Sequence, residues 1–430
     1  MSYYSINGGK VLSGEVKISG NKNAALPCIA AVMLTDETCV LQNIPYIQDV
    51  NVMLQLLQEI GCDVITLGGG QYAVTTNITN TKLTPSLVDS VRGSILLAGP
   101  MLARGLSFEL PPPGGDVIGL RRLDSHFIGF TSLGAKCEVL ENGYLRLSAD
   151  GGLKGNDIIL DEASVTATEN IIMACTLANG KSTIYNAACE PHIQSLCEML
   201  NGMGAKIEGI GSNYLRIEGV ERLHSCNHRI CFDYMEAGSY IGLAACTDSA
   251  LILTGIEEKY MFPLKRGFEK IGITFEVEGD KVFIPSGQSK KIKKTYSGVT
   301  DKLDDGPWPC FPADLLSIMV VVATQMDGQI LIHDKMFESR MYFIDNLIKM
   351  GADIILCDPH RAIVNGPKKL HGANVVSPDV RAGMSLVIAA LVANGNTVIS
   401  NIEQIERGYD CLLDKLIAIG ADISRSSTKK

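Results

Sequence analysis

No CxxC pair occurs among the thirteen cysteines, and the seven histidines carry no HExxH spacing. Free, mostly buried thiols are therefore expected, with no disulfide framework and no metal site. Long hydrophobic runs are missing too. The longest, 382–393, is broken by Gly383 and Ser385, well short of the ~20 residues that cross a bilayer. The opening MSYYSINGGKVLSG lacks the basic-then-apolar order of a secretory signal, so the expectation is a cytoplasmic protein with no membrane partner. Basic charge is also scarce. Thirty-eight Lys and Arg face 47 Asp and Glu, a net charge of −9. A nucleic-acid partner is not expected from that balance, although a few placed arginines can still bind a small anion. Hydrophobic residues make up 46%, which excludes disorder over most of the length. With 430 residues, two or three domains are expected.

The chain is organised by repetition. An apolar helix end, a glycine and a new strand recur six times, at Gly61, Gly134, Gly204, Gly272, Gly351 and Gly420. The spacing predicts six repeats of about 72 residues that cover the whole chain. Val50, Met53, Leu54, Leu57 and Ile60 form one apolar stripe ahead of Gly61, as in an amphipathic helix packed on a core. Each repeat also holds a helix that is apolar nearly all round: KNAALPCIAAVML, VRGSILLAGPMLA, ATENIIMACTLA, EAGSYIGLAACT, ADLLSIMVVVAT and RAGMSLVIAALVA. A helix without a polar face is a buried helix. Asn179-Gly180, Asp327-Gly328 and Asn394-Gly395 then turn the chain into alternating strands. The expected α/β architecture is two lobes, each with three buried helices under a sheet, and a ligand cleft where the lobes meet.

Polar residues gather where the buried helices begin: Lys22, Asn23, Arg92, Ser164, Thr166, Asp233, Glu236, Asp314, Asp379 and Arg381. Capping alone explains Ser164, Asp233, Asp314 and Asp379 as well as a functional role does. Cations in a first turn are different. Lys22, Arg92 and Arg381 oppose the helix dipole beside apolar turns, so a bound anion is the better explanation. Two loops add charge. The segment 111–126, PPPGGDVIGLRRLDSH, carries Asp116, Arg121, Arg122, Asp124 and His126 past a Gly-Gly pair, and predicts a lid over substrate. FESR and IERGYD supply Arg340 and Arg407 at equivalent places of their repeats.

Taken in order, SGNKNAALP at 19–27, PPPGGDVIG at 111–119, FPAD at 311–314, PDVRAGMSL at 378–386 and IERGYD at 405–410 resemble the enolpyruvyl transferases. Within that family they are most similar to the branch that acts on UDP-N-acetylglucosamine. The match spans essentially the whole chain. The resemblance implies a two-lobed inside-out α/β barrel with three repeats per lobe. Residues 22–231 would form the N-terminal lobe, with a catalytic loop at 111–126. Residues 1–21 and 232–430 would form the other, with the active site in the cleft between them. It implies transfer of the enolpyruvyl group of phosphoenolpyruvate to the 3′-hydroxyl of UDP-N-acetylglucosamine with release of phosphate, the first committed step of peptidoglycan precursor synthesis, with no cofactor. Carried over by position, Lys22, Arg121 and Arg407 would hold phosphoenolpyruvate, with Arg92 and Arg381 nearby. Asn23 and Asp314 would contact the sugar, with Asp314 as base. Asp379 and Arg340 would surround the reacting centre. Ser164, Val165, Asp124 and His126 would meet the uridine diphosphate.

The chemistry suits these residue types. Phosphoenolpyruvate is an anion that needs several cations. Attack at its C2 requires protonation at C3, so a general acid and a base are both needed. Asp116 stands where the family usually carries a cysteine, the residue that fosfomycin alkylates, so this chain is expected to be fosfomycin-insensitive. Arg122, Thr166 and Glu162 also depart from the family pattern beside the nucleotide. Three alternatives remain: a 3-phosphoshikimate enolpyruvyl transferase, which the Gly20-Asn21-Lys22-Asn23 opening disfavours, a paralogue that acts on another UDP-sugar, and one that binds such a sugar without catalysis.

Overall fold

Each of the six repeat glycines takes a left-handed backbone, with φ between 84° and 113°. An L side chain is strained there and glycine is not. Each ends a short amphipathic helix, of which Gln48–Ile60 is the longest, with its Val50, Met53, Leu54, Leu57 and Ile60 stripe fully or nearly buried. The next strand starts two residues later after five of them and four residues after Gly272, so the glycine is the corner of every repeat.

The computed structural model describes residues 2–114, 122–337 and 340–427. The chain divides into two units, Gly20–Cys231, and Met1–Ser19 with Phe232–Lys430. Three of the apolar segments belong to the first unit. They form the helices Lys22–Ala31 and Val165–Thr176 and, between them, a 3-10 stretch Arg92–Leu97 that runs into Ala98–Ala103. The expected single helix at 91–103 is thus two pieces of different pitch. The second unit holds Tyr234–Thr247, Leu316–Thr324 and Val380–Val392, which pack on one another. All fourteen residues of Tyr234–Thr247 are buried.

The strands correct one expectation. They do not form one sheet over the helices in either unit. Among the described residues each unit has three separate sheets, and five of the six sheets have four strands. A helix that is apolar on every side needs cover on every side, which the single face of one sheet cannot supply. The sheets are completed over long sequence distances. Ser2–Asn7 pairs antiparallel with Asn396–Ser400 and with Asp422–Ser427. Ser13–Lys17 runs parallel to Ala250–Thr254, and Asn227–Arg229 parallel to Cys39–Gln42. All thirteen cysteines are free thiols. Among the described residues no helix is long and apolar enough to cross a membrane.

Candidate active site

Asp314 lies in a single 3-10 turn, Ala313–Leu315, directly before the buried helix Leu316–Thr324. It does not cap that helix. Its Oδ1 accepts a bond from Arg340 Nη1 at 2.6 Å and its Oδ2 one from Arg381 Nε at 3.1 Å. Burial pushes the Asp314 carboxyl up, but the Arg340 and Arg381 guanidiniums outweigh it and hold the group well below the usual carboxylate range. Asp314 is therefore ionised at any physiological pH. Each carboxylate oxygen keeps a second lone pair for a further donor.

Arg381 is the second residue of Val380–Val392 and is only 7% exposed. The positive end of that helix disfavours a cation, and Asp314 supplies the compensating charge. Asp379 caps the same helix, accepting from the Arg381 and Ala382 N–H groups at 2.8 and 2.9 Å. The Arg381 guanidinium stands 5.2 Å from the Tyr409 ring centroid. Tyr409 follows Arg407 by two residues, in a turn that begins when the Arg407 N–H bonds to the Glu403 carbonyl. Asp314, Arg340, Asp379, Arg381 and the Arg407 turn thus come from two successive repeats to one end of the buried helices. Ser317, Asp334, Arg340, Asp379 and Arg381 line a pocket there.

In the unit Gly20–Cys231, Asn21 caps the helix Lys22–Ala31 through the Ala24 N–H. Lys22 follows it and pairs with Asp49 at 3.2 Å, with both side chains largely buried. Asn23 is half-buried in the same turn. Arg92 Nη1 donates to the Pro113 carbonyl at 3.1 Å, which ties the Pro run to the start of its 3-10 stretch. Gly114 comes next. A Cβ there would lie 1.7 Å from the Asp89 carbonyl oxygen, so no side chain fits. Residues 115–121 lie outside the described residues, and with them Asp116, Arg121 and the body of the expected lid.

Asp124 opens the helix Asp124–Ser132 and is exposed. His126, 2% exposed, sits between two partners. Asn170 Oδ1 accepts the Gly99 N–H at 2.8 Å, so Asn170 Nδ2 is the atom that donates to His126 Nδ1 at 3.0 Å. That leaves the proton on Nε2, which faces Thr166 Oγ1 at 3.2 Å. Burial and then the Arg92 charge push the His126 pKa down to about 3, so the ring is neutral. Ser164 is the N-cap of Val165–Thr176 but makes no side-chain capping bond. The first N–H groups of that helix, including that of Val165, are free of intrahelical partners and suit an anion. Glu162 Oε1 meets Ser125 Oγ at 3.5 Å.

Sequence reasoning missed several residues that hold the site. Asp49 reads as an ordinary first-turn acid, and only the fold brings it to Lys22. Asn170 fixes the His126 tautomer from within the ATEN string, where it looked like a helix-interior residue. Arg340, expected around the reacting centre, was not expected to be what it is here, a largely buried partner of Asp314. His224 and His228 stand in an HxxxH spacing, but His224 Nδ1 meets Glu37 at 3.1 Å and His228 Nε2 meets Ser195 at 3.0 Å. Among the described residues no group of His, Cys, Asp and Glu could hold a metal ion.

Comparison with known proteins agrees in family and fold. Residues 6–416 match the model of the EPSP synthase (3-phosphoshikimate 1-carboxyvinyltransferase) family. The UDP-N-acetylglucosamine 1-carboxyvinyltransferase of Treponema denticola is 53% identical over 424 residues, 98% of this chain and 99% of the relative. That of Treponema pallidum is 52% identical, again over 98% and 99%. The enolpyruvyl transferase NikO of Streptomyces tendae superimposes with a TM-score of 0.89 over 100% of this chain and 99% of its own, at 21% identity, which speaks to the fold. The chain belongs to the EPSP synthase family of carboxyvinyltransferases, and within it to the UDP-N-acetylglucosamine 1-carboxyvinyltransferases.

Proposed function

We propose that the protein transfers the enolpyruvyl group of phosphoenolpyruvate to the 3′-hydroxyl of UDP-N-acetylglucosamine and releases phosphate, feeding peptidoglycan precursor synthesis and hence cell shape and division. The observation that carries this reading is the Asp314 carboxylate, held ionised between Arg340 and Arg381 at the start of a buried helix. An acceptor hydroxyl placed on its spare lone pairs loses its proton as the oxygen bonds to C2 of phosphoenolpyruvate. Asp116 delivers a proton to C3. Loss of a C3 proton and departure of phosphate from C2 then restore the double bond. A base with so low an affinity for protons acts late, when the attacking oxygen has already become acidic.

Lys22, Arg121 and Arg407 hold the phosphate and carboxylate of phosphoenolpyruvate in this scheme, with Arg92 and Arg381 beside them. Asn23 and Asp314 bind the sugar. Arg340 and Asp379 orient the reacting centre, Arg340 through Asp314 and Asp379 by fixing the turn that carries Arg381. Ser164, Val165, Asp124 and His126 receive the uridine diphosphate, with N–H groups at the start of Val165–Thr176 as its anion donors. The free thiols fit a reducing, cytoplasmic setting. With a carboxyl at Asp116 in place of a thiol, fosfomycin finds no strong nucleophile in the loop.

A phosphate-release assay with phosphoenolpyruvate tests the reading. UDP-N-acetylglucosamine is expected to support turnover, and shikimate 3-phosphate is not. Release with shikimate 3-phosphate alone would move the chain to the other branch of its family.

A further inference from the structure

Asp305 and Asp334 form a second carboxylate pair, which the reaction as proposed does not use. The strand Lys302–Asp304 runs parallel to Gly328–His333, with Asp304 opposite His333. The next residues along the two strands, Asp305 and Asp334, therefore fall side by side, at a strand spacing of about 4.8 Å. Burial alternates in step on both strands: Leu303 and Asp305 are buried on one, Ile332 and Asp334 on the other. Both carboxyls turn to the same, inner face. Asp305 Oδ1 accepts the Lys335 N–H at 2.6 Å. Asp334 Oδ1 accepts the Met336 and Phe337 N–H groups at 3.2 and 3.0 Å. The two Oδ2 atoms are buried and find no donor among the described residues. Two facing carboxylates do not both ionise readily, and a buried oxygen without a donor is costly. One proton shared between the Oδ2 atoms removes both difficulties, because the protonated carboxyl becomes the donor for the other.

The turn that Asp334 caps ends at Phe337. The Arg340 guanidinium lies 3.9 Å from the centroid of the Phe337 ring, and the same guanidinium holds Asp314. We propose that Asp334, joined to Asp305 through one shared proton, is a positioning residue that sets the 334–337 turn and, through the Phe337 ring, aims Arg340 at Asp314. The proposal rests on the reading of Asp314 as the reacting carboxylate. It needs no contact between Asp334 and substrate.

Titration of the pair follows from its surroundings. Asp304, beside Asp305, is matched by Lys302 at 2.9 Å and by Lys335. His360 Nδ1 meets the Asp334 carbonyl at 2.9 Å, and Asp358 is paired with Arg361 across the turn. His333 precedes Asp334 on its strand, and the Arg340 charge acts on it as well. Burial first, then the Asp305 charge, push the Asp334 carboxyl up to about 6, against the Phe337 N–H and the Arg340 charge. The shared proton is lost as pH rises through that value, and like charges then push the turn apart.

Asp334→Asn keeps the acceptor for both N–H groups and gives Asp305 a donor that does not titrate. Asp334→Ala removes both. The expected result is that Asp334→Ala lowers kcat by about 10–10²-fold, the cost of an ångström-scale misplacement. Asp334→Asn keeps most of the activity, and its kcat relative to wild type climbs as pH rises from 5 to 8. The folded-state pKa is raised, so wild-type stability tied to this proton is present below the unfolded value of about 3.9 and lost by about 6. The Tm of Asp334→Asn therefore gains on wild type between those pH values and not above them. A kcat and a pH profile unchanged in both variants overturn the proposal, as does equal impairment in both. A double-mutant cycle in Tm between Asp334→Ala and Arg340→Ala needs no activity. Coupling is expected, and additive effects overturn the link to Arg340. If wild type releases no phosphate from phosphoenolpyruvate, the proposed function fails while the cycle still decides this point.

Discussion

Replacing Asp314 separates chemistry from architecture. Asp314→Asn preserves the shape of the side chain and one acceptor for an arginine, but removes the charge that accepts the hydroxyl proton. A general base contributes about 10²–10⁴-fold to turnover, which corresponds to about 2.7–5.4 kcal/mol on the barrier. The same change leaves Arg381 and Arg340 without their counter-charge. Breaking a buried ion pair costs about 3–5 kcal/mol, and the Asp314 side chain is 21% exposed, so the loss belongs at the low end, about 3 kcal/mol. The pH dependence has a definite sign. The folded-state carboxyl is held below its ordinary value, so its stabilisation is complete above the unfolded pKa of about 3.9 and disappears only as pH falls below that. Urea unfolding of wild type and Asp314→Asn at pH 7 and pH 3 measures the structural part. Steady-state kinetics on the folded fraction measures the chemical part, with UDP-N-acetylglucosamine binding followed separately. The expected result is a kcat lowered at least about 10²-fold with nucleotide-sugar binding retained. Turnover within a few-fold of wild type would leave Asp314 a structural counter-ion and refute its role as base.

Lys22→Ala and Arg407→Ala should each raise KM for phosphoenolpyruvate or depress kcat, while a normal value of both constants removes that residue from the substrate site. Native protein should survive prolonged incubation with fosfomycin, whereas Asp116→Cys should be inactivated with time and carry the adduct on its new thiol by mass spectrometry. Covalent loss of native activity would show that Asp116 is not the loop residue the reagent meets. His126 is neutral in the fold with a pKa near 3 but charges below about 6.5 when unfolded. Its contribution therefore fades as pH falls from 6.5 toward 3, and the Tm gap between wild type and His126→Gln should narrow over that window. A gap that widens on acidification contradicts the neutral Nε2–H tautomer.

Much of this architecture was legible in the residues because it is local. A glycine that must take a left-handed backbone, an apolar stripe at helical spacing and a helix without a polar face each announce themselves within a dozen residues. The sheets were not legible. Ser2–Asn7 finds its partners at Asn396–Ser400 and Asp422–Ser427, and no spacing rule links strands that far apart. The 3-10 pitch of Arg92–Leu97 was equally hidden, since its apolar pattern is that of a helix of either kind. The same divide runs through the site. Lys22, Arg92 and Arg381 stood out as cations in first turns, where the dipole opposes them. Their counter-charges did not, because Asp49 and Asp314 lie 27 and 67 residues away from the partners they meet. Asp314 itself was ambiguous between a cap and a base, and its bonds to the two guanidiniums, with no capping bond, remove only the cap.

Addition and elimination at phosphoenolpyruvate, with UDP-N-acetylglucosamine as acceptor, leaves an isotopic signature when the reaction is run in deuterium oxide and the product examined by mass spectrometry and NMR. Protonation of C3 creates a methyl group that rotates freely before one of its hydrogens leaves. The expected product is UDP-N-acetylglucosamine bearing an enolpyruvyl ether at the 3′-oxygen, with deuterium on the vinyl carbon. An unlabelled vinyl group, an ether at another oxygen, or product only with shikimate 3-phosphate would contradict it.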